Sequence, residues 1–186
     1  MKKIVLITLC LSCFTLFSCV KPDWTIATSN GDEFSNLSFQ THDLNAVVFL
    51  APGCPLSEAS ILEINNLQSK FSSNKLATFI VIPGHLYTRN EVDSFINHFN
   101  ITLPVLLDTT GLLVEKLNAT MTPEYILLDK KMKVLYQGAI DNRALDNDLI
   151  RQSASINFAD SAIHQYLSGQ KIKFPKSKAV GCYIEL

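Results

Sequence analysis

Two continuous apolar, β-branched runs constrain this chain more than any other feature: Ala46-Val47-Val48-Phe49-Leu50-Ala51, which stops at Pro52-Gly53, and Leu76 to Ile82. A strand apolar on both faces must lie inside a sheet covered above and below. Between the runs, Ile61, Leu62, Ile64, Leu67 and Phe71 recur at helical spacing. A helix is therefore expected from about Pro55 to Phe71, with Pro55 in the first turn, where its missing N–H costs nothing. Glu91 to Phe99 reads as a second helix, with Val92, Phe95, Ile96 and Phe99 on one face, and Val105 to Leu107 as a third strand. The order is β-α-β-α-β.

Downstream, Gly111 to Leu117 reads as a short helix, and Tyr125 to Leu128 with Lys133 to Tyr136 as a hairpin across Asp129 to Met132. Leu145 to Leu167 reads as one long amphipathic helix. Upstream, Trp24 to Ala27 suggests an edge strand before the turn Asn30-Gly31-Asp32, while Asn36 to Thr41 has no clear period. The expectation is an α/β fold, a mixed central sheet covered by helices. Gly169 to Leu186 reads as an extended C-terminal arm ending at Gly181-Cys182.

The first residues belong to targeting and not to the fold. Lys2 and Lys3, the apolar run Ile4 to Phe17 and the small-residue end Ser18-Cys19 have the order of a secretory signal. As a membrane span the run falls short of the roughly 20 apolar residues required. Leu16-Phe17-Ser18-Cys19 resembles the bacterial lipobox, whose cysteine is lipidated and becomes the mature N-terminus. Residues 1–18 then form a lipoprotein signal peptide, 19–23 a lipidated tether, 24–168 the folded domain and 169–186 the arm. Two acyl chains on Cys19 suffice for stable anchoring, at about 0.8 kcal/mol per buried methylene. The implied location is the bacterial cell envelope, on a membrane facing the periplasm or the cell exterior.

The remaining length fits one domain. The whole chain carries 16 Lys and Arg against 17 Asp and Glu, and loss of Lys2 and Lys3 tips it further to the acidic side. Without a basic cluster or stripe, nucleic acid is not an expected partner. With Cys10, Cys13 and Cys19 assigned to the signal and lipobox, Cys54 and Cys182 are the domain's thiols, and an exported compartment lets them form a disulfide. His42, His85, His98 and His164 are scattered, and neither thiol has a second cysteine two to four residues away, so no metal or other cofactor is expected.

Cys54 follows a buried strand and opens a helix. There it meets unpaired backbone amides and the positive end of the helix dipole, both of which favour the nucleophilic thiolate. Phe49-Leu50-Ala51-Pro52-Gly53-Cys54-Pro55-Leu56-Ser57 resembles the thioredoxin active-site segment, with Ser57 where the second cysteine of a CxxC would stand. Met121-Thr122-Pro123-Glu124-Tyr125-Ile126-Leu127-Leu128-Asp129 resembles the segment in which a cis-proline faces that cysteine. With Gly138-Ala139-Ile140-Asp141-Asn142-Arg143 and the terminal Gly181-Cys182, the stretch Val47 to Ile184 resembles the redoxin family. These are thioredoxin-fold proteins related to the alkyl hydroperoxide reductase and thiol-specific antioxidant group.

That resemblance implies catalytic roles for Cys54 and Cys182, and a substrate groove formed by Pro52, Gly53, Pro55, Ser57, Thr122, Pro123 and Arg143. Two departures narrow the chemistry. Ala51 replaces the threonine that peroxiredoxins place three residues before their cysteine, and apolar Val48 stands where thioredoxins often bury an acid. Ser57 cannot resolve a mixed disulfide, which leaves Cys182, or an external thiol donor, for that step. A Cys54–Cys182 bond would close a long loop, worth up to roughly 5 kcal/mol by chain entropy, so the same bond also fits a structural role.

Two functions follow. The first is a membrane-tethered thiol oxidoreductase or weak peroxidase acting on a protein or small-molecule disulfide or a peroxide. The second is a non-catalytic binding module that keeps the groove and runs no redox cycle. The pair Cys54 with Cys182 favours the first, and Ser57 the second.

Overall fold

The computed structural model describes residues 21–74, 76–146 and 149–186; the signal segment and Cys19 lie outside them. In chain order the elements are β1 (Thr25–Ala27), β2 (Glu33–Ser35), a 3-10 turn (Asn36–Thr41), β3 (Leu44–Phe49), α1 (Pro55–Phe71), β4 (Leu76–Pro83), α2 (Arg89–His98) and β5 (Val105–Asp108). There follow α3 (Leu112–Leu117), β6 (Met121–Thr122), β7 (Glu124–Asp129), β8 (Val134–Gly138), β9 (Ala144–Asp146), β10 (Leu149–Ile150), α4 (Phe158–Leu167) and β11 (Cys182–Tyr183).

The central sheet has the order β5-β4-β3-β7-β8. β3 runs parallel to β4, and β4 to β5, whereas β7 pairs antiparallel with both β3 and β8. The apolar run in β3 works by alternation. Leu44, Ala46 and Val48 face one layer, with Ile61, Ile64 and Leu67 of α1, Val92 and Phe95 of α2, and Ala159 and Ile163 of α4. Val47 and Phe49 face the other, with Phe34, Phe39, Leu113, Val114 and Leu117. Each large apolar side chain buried this way is worth about 1.5–3 kcal/mol, which is why a six-residue strand with no exposed face specifies the centre of the sheet.

One expected element is corrected. The long helix Leu145 to Leu167 is a helix only from Phe158. The earlier part is the short hairpin β9–β10 and an irregular return, closed by Asn142. Its side chain donates to Ser155 Oγ at 2.8 Å and accepts from the Ser155 and Ile156 amides at 2.9 and 3.0 Å. Local side-chain bonds of this kind compete with helix formation. The large apolar residues of that stretch, Leu145, Leu149, Ile150 and Ile156, are all exposed.

The arm is extended and follows the sheet edge. Gln137 N donates to Pro175 O at 3.0 Å and Ser177 N to Gln137 O at 3.1 Å. Ser177 Oγ accepts from Ala139 N at 3.0 Å. A Cβ on Gly138, whose φ is 145°, would collide with the Ser177 carbonyl, so the arm can lie this close only against glycine. From there the chain crosses to β6, and β11 pairs with it antiparallel, Cys182 opposite Thr122 and Tyr183 opposite Met121.

Candidate active site

Cys54 is the residue that precedes the first turn of α1, reached from β3 through a turn in which Gly53 takes φ 75° and Cys54 N donates to Ala51 O at 3.2 Å. The thiol is only 3% exposed. The cover is the Thr122-Pro123 loop and the arm. The peptide bond before Pro123 is cis, and Cys54 Sγ donates to Thr122 O at 3.3 Å. Ala51, Cys54 and Leu56 form a small apolar cluster against which Tyr87, Val180 and Cys182 pack.

Cys182 thus stands beside Cys54. Both are free thiols. Burial pushes the Cys54 thiol up, but hydrogen bonds from the Cys182 thiol, the Ser57 amide and hydroxyl and the Cys182 amide outweigh it and hold the group below its ordinary value. Cys182 moves the other way, to about 11, through burial, its role as donor to Cys54 and repulsion by the Cys54 thiolate. The two sulfurs therefore shift in opposite directions, Cys54 toward the thiolate and Cys182 away from it.

Ser57 is fully buried. Its Oγ accepts from Ala51 N at 3.2 Å, and its hydroxyl supports the thiolate, so at the place of a second CxxC cysteine it stabilises the turn and the charge. Pro52 is half-buried, while Gly53 and Pro55 are exposed around the thiol. Thr122 is buried, and its Oγ1 donates to Cys182 O at 3.4 Å. Arg143 is held by Asp141, which accepts from its Nε at 2.7 Å and from its amide at 2.8 Å, and the pair lines a pocket with Leu56, Pro123 and Val180. His85 is exposed on the loop after β4.

Three residues join the site that were not among the expected catalytic or groove residues. Glu124 is buried next to Pro123; its carboxylate accepts from the Thr120 and Met121 amides at 2.8 and 3.2 Å and from Gln137 at 2.8 Å, which fixes the loop over Cys54. Gly181 admits the arm, because a Cβ there would collide with the Thr122 carbonyl. Tyr87 is half-buried against the cysteine cluster, and its hydroxyl is raised by burial and by the two nearby cysteines. A glutamate directly after a Thr-Pro pair was the one available cue for Glu124. Among the described residues no group of three or more His, Cys, Asp and Glu is placed to hold a metal ion.

A Redoxin family model matches residues 19–149, a span that includes Cys54, Thr122, Pro123 and Glu124. The chain belongs to the Redoxin family. The match ends before the arm, so Cys182 enters the site from outside the shared Redoxin segment. Solved structures share the thioredoxin-like fold. A hypothetical protein of Sinorhizobium meliloti superposes with a TM-score of 0.75 at 17% identity, over 87% of this chain and 89% of that one. An uncharacterized conserved protein of Geobacillus kaustophilus gives 0.73 at 17% identity, over 89% and 90%. A secreted disulfide oxidoreductase of Mycobacterium tuberculosis gives 0.55 at 17% identity, over 67% and 89%. No curated protein matches the chain.

Proposed function

We propose that this Redoxin protein is a thiol–disulfide oxidoreductase in which Cys54 attacks and Cys182 resolves, held at a membrane surface of the cell envelope by lipid on Cys19. The observation that carries the reading is the packing of the free thiol Cys182 against Cys54, with the Cys54 thiol held below its ordinary value and Cys182 above it. The fold shared with a secreted disulfide oxidoreductase supports the same chemistry.

In the reducing direction the Cys54 thiolate attacks one sulfur of a substrate disulfide. A mixed disulfide forms, and the other substrate sulfur leaves as a thiolate and takes a proton. Any negative charge on Cys54 is thereby consumed, and with it the repulsion and the hydrogen bond that add to burial in raising the Cys182 thiol. Cys182 then gives up its proton and attacks Cys54 Sγ. The Cys54–Cys182 bond forms, the mixed disulfide breaks, and the second substrate sulfur departs and is protonated. The substrate gains two electrons and the protein loses two, which an external dithiol returns.

Turnover of bis(2-hydroxyethyl) disulfide with dithiothreitol as the electron source tests the reading. Cys54→Ser is expected to abolish it, and full activity in that variant would leave the groove as a binding module. Anchoring is tested separately by Cys19→Ala, which is expected to move the protein out of the detergent phase; unchanged partition would remove the tether from the account.

A further inference from the structure

A groove of about 550 Å³ lies on the α2 side of the redox centre, outside the Thr122-Pro123 loop. That volume is within the ~300–1,000 Å³ of ligand pockets. At one end it is walled by Pro52 and Gly53, the two residues that lead directly into Cys54. Its apolar surface comes from Tyr87, Phe95 and Phe99, and Tyr87 also packs on the cysteine cluster, so groove and thiols share a wall.

The charged groups on that surface are carboxylates. Glu58, in the first turn of α1, makes no ion pair among the described residues. Glu91 uses Oε2 for the Thr88 amide and hydroxyl, both at 2.7 Å, so Oε1 is not engaged in that cap. The neighbouring cation, Arg89, is held by Asp93 at 2.8 Å and by the Ser29 carbonyl, and does not line the groove. His98 lines it with its ring edge-on to Phe99 at 4.6 Å.

Resting on the disulfide-exchange reading, we infer that this groove selects the substrate: a polypeptide segment in which a lysine or arginine and an aromatic residue flank the reacting cysteine. The cation meets Glu58 and Glu91 and the face of Tyr87, and the aromatic ring packs on Phe95 and Phe99. Position gives the groove its use, since a segment seated against Pro52 and Gly53 lies beside the turn that leads into Cys54.

The test avoids redox chemistry. A fluorophore-labelled pentapeptide has serine at the centre in place of cysteine, lysine on both sides and phenylalanine at both ends; its partner peptide has glutamate for lysine. Fluorescence anisotropy on the full chain is expected to show at least tenfold tighter binding of the lysine peptide, weakening with salt. Glu58→Gln with Glu91→Gln should reduce that preference to within about twofold, while Asp93→Asn, outside the groove, retains it. Equal binding of the two peptides by the unaltered protein, or an undiminished preference in the double variant, overturns the inference. So does peptide-free dimerisation that the double variant abolishes, which assigns the groove to a second copy. Because the probe carries no sulfur, failure of the disulfide-exchange reading leaves this result standing, and failure here leaves the turnover assay untouched.

Discussion

Cys182 packs against Cys54 in one small cluster, although the two residues come from opposite ends of the chain and only one lies in the matched Redoxin segment. Hydrogen bonding from the Cys182 thiol is the largest of the contributions that lower the Cys54 thiol against its burial. Cys182→Ala removes it. The midpoint of the pH profile for Cys54 alkylation is expected to move upward, and turnover of a disulfide substrate to become dependent on the concentration of added thiol. An unchanged midpoint would show that helix-start amides alone set the thiolate.

Ser57 performs two tasks with one hydroxyl, accepting from Ala51 N and donating toward Cys54. Ser57→Ala leaves a buried amide unpaired, at a cost of about 1–3 kcal/mol in urea unfolding, and raises the Cys54 midpoint in the same alkylation profile. Loss of stability without any shift in the profile would confine Ser57 to the turn.

Alkaline stability has a definite sign. Cys182 is pushed up to about 11 and Tyr136, mainly by burial, to about 12, against ordinary values of about 8.5 and 10. Above the ordinary values the unfolded chain has released protons that the folded chain retains, so stability falls as pH rises. The contribution is complete below about pH 8 and lost progressively toward 12. Urea midpoints measured from pH 8 to 11 are expected to fall, and Tyr136→Phe should flatten the upper part of the decline.

The sheet and its helices were legible in the sequence because burial writes a period. β3, β4 and α1 follow directly from runs of apolar residues and from Pro55. The position of Cys54 at a helix start was legible for the same reason. What stayed hidden depends on contacts between distant segments. Nothing local in Gly169 to Leu186 says that the arm lies against Gly138 and ends opposite Thr122, and without that contact Cys54 reads as exposed. The helix expected from Leu145 fails because Asn142 offers its side chain to Ser155 and Ile156, a bond across a gap that periodicity does not register.

The most direct test of the Cys54–Cys182 pair is to oxidise the purified full chain with diamide, digest it without reduction and analyse the peptides by mass spectrometry. One dominant crosslinked species joining the Cys54 and Cys182 peptides is expected, formed at a rate independent of protein concentration and reversed by dithiothreitol. Recovery of both cysteines as free thiols, or crosslinks only between separate molecules, would contradict it.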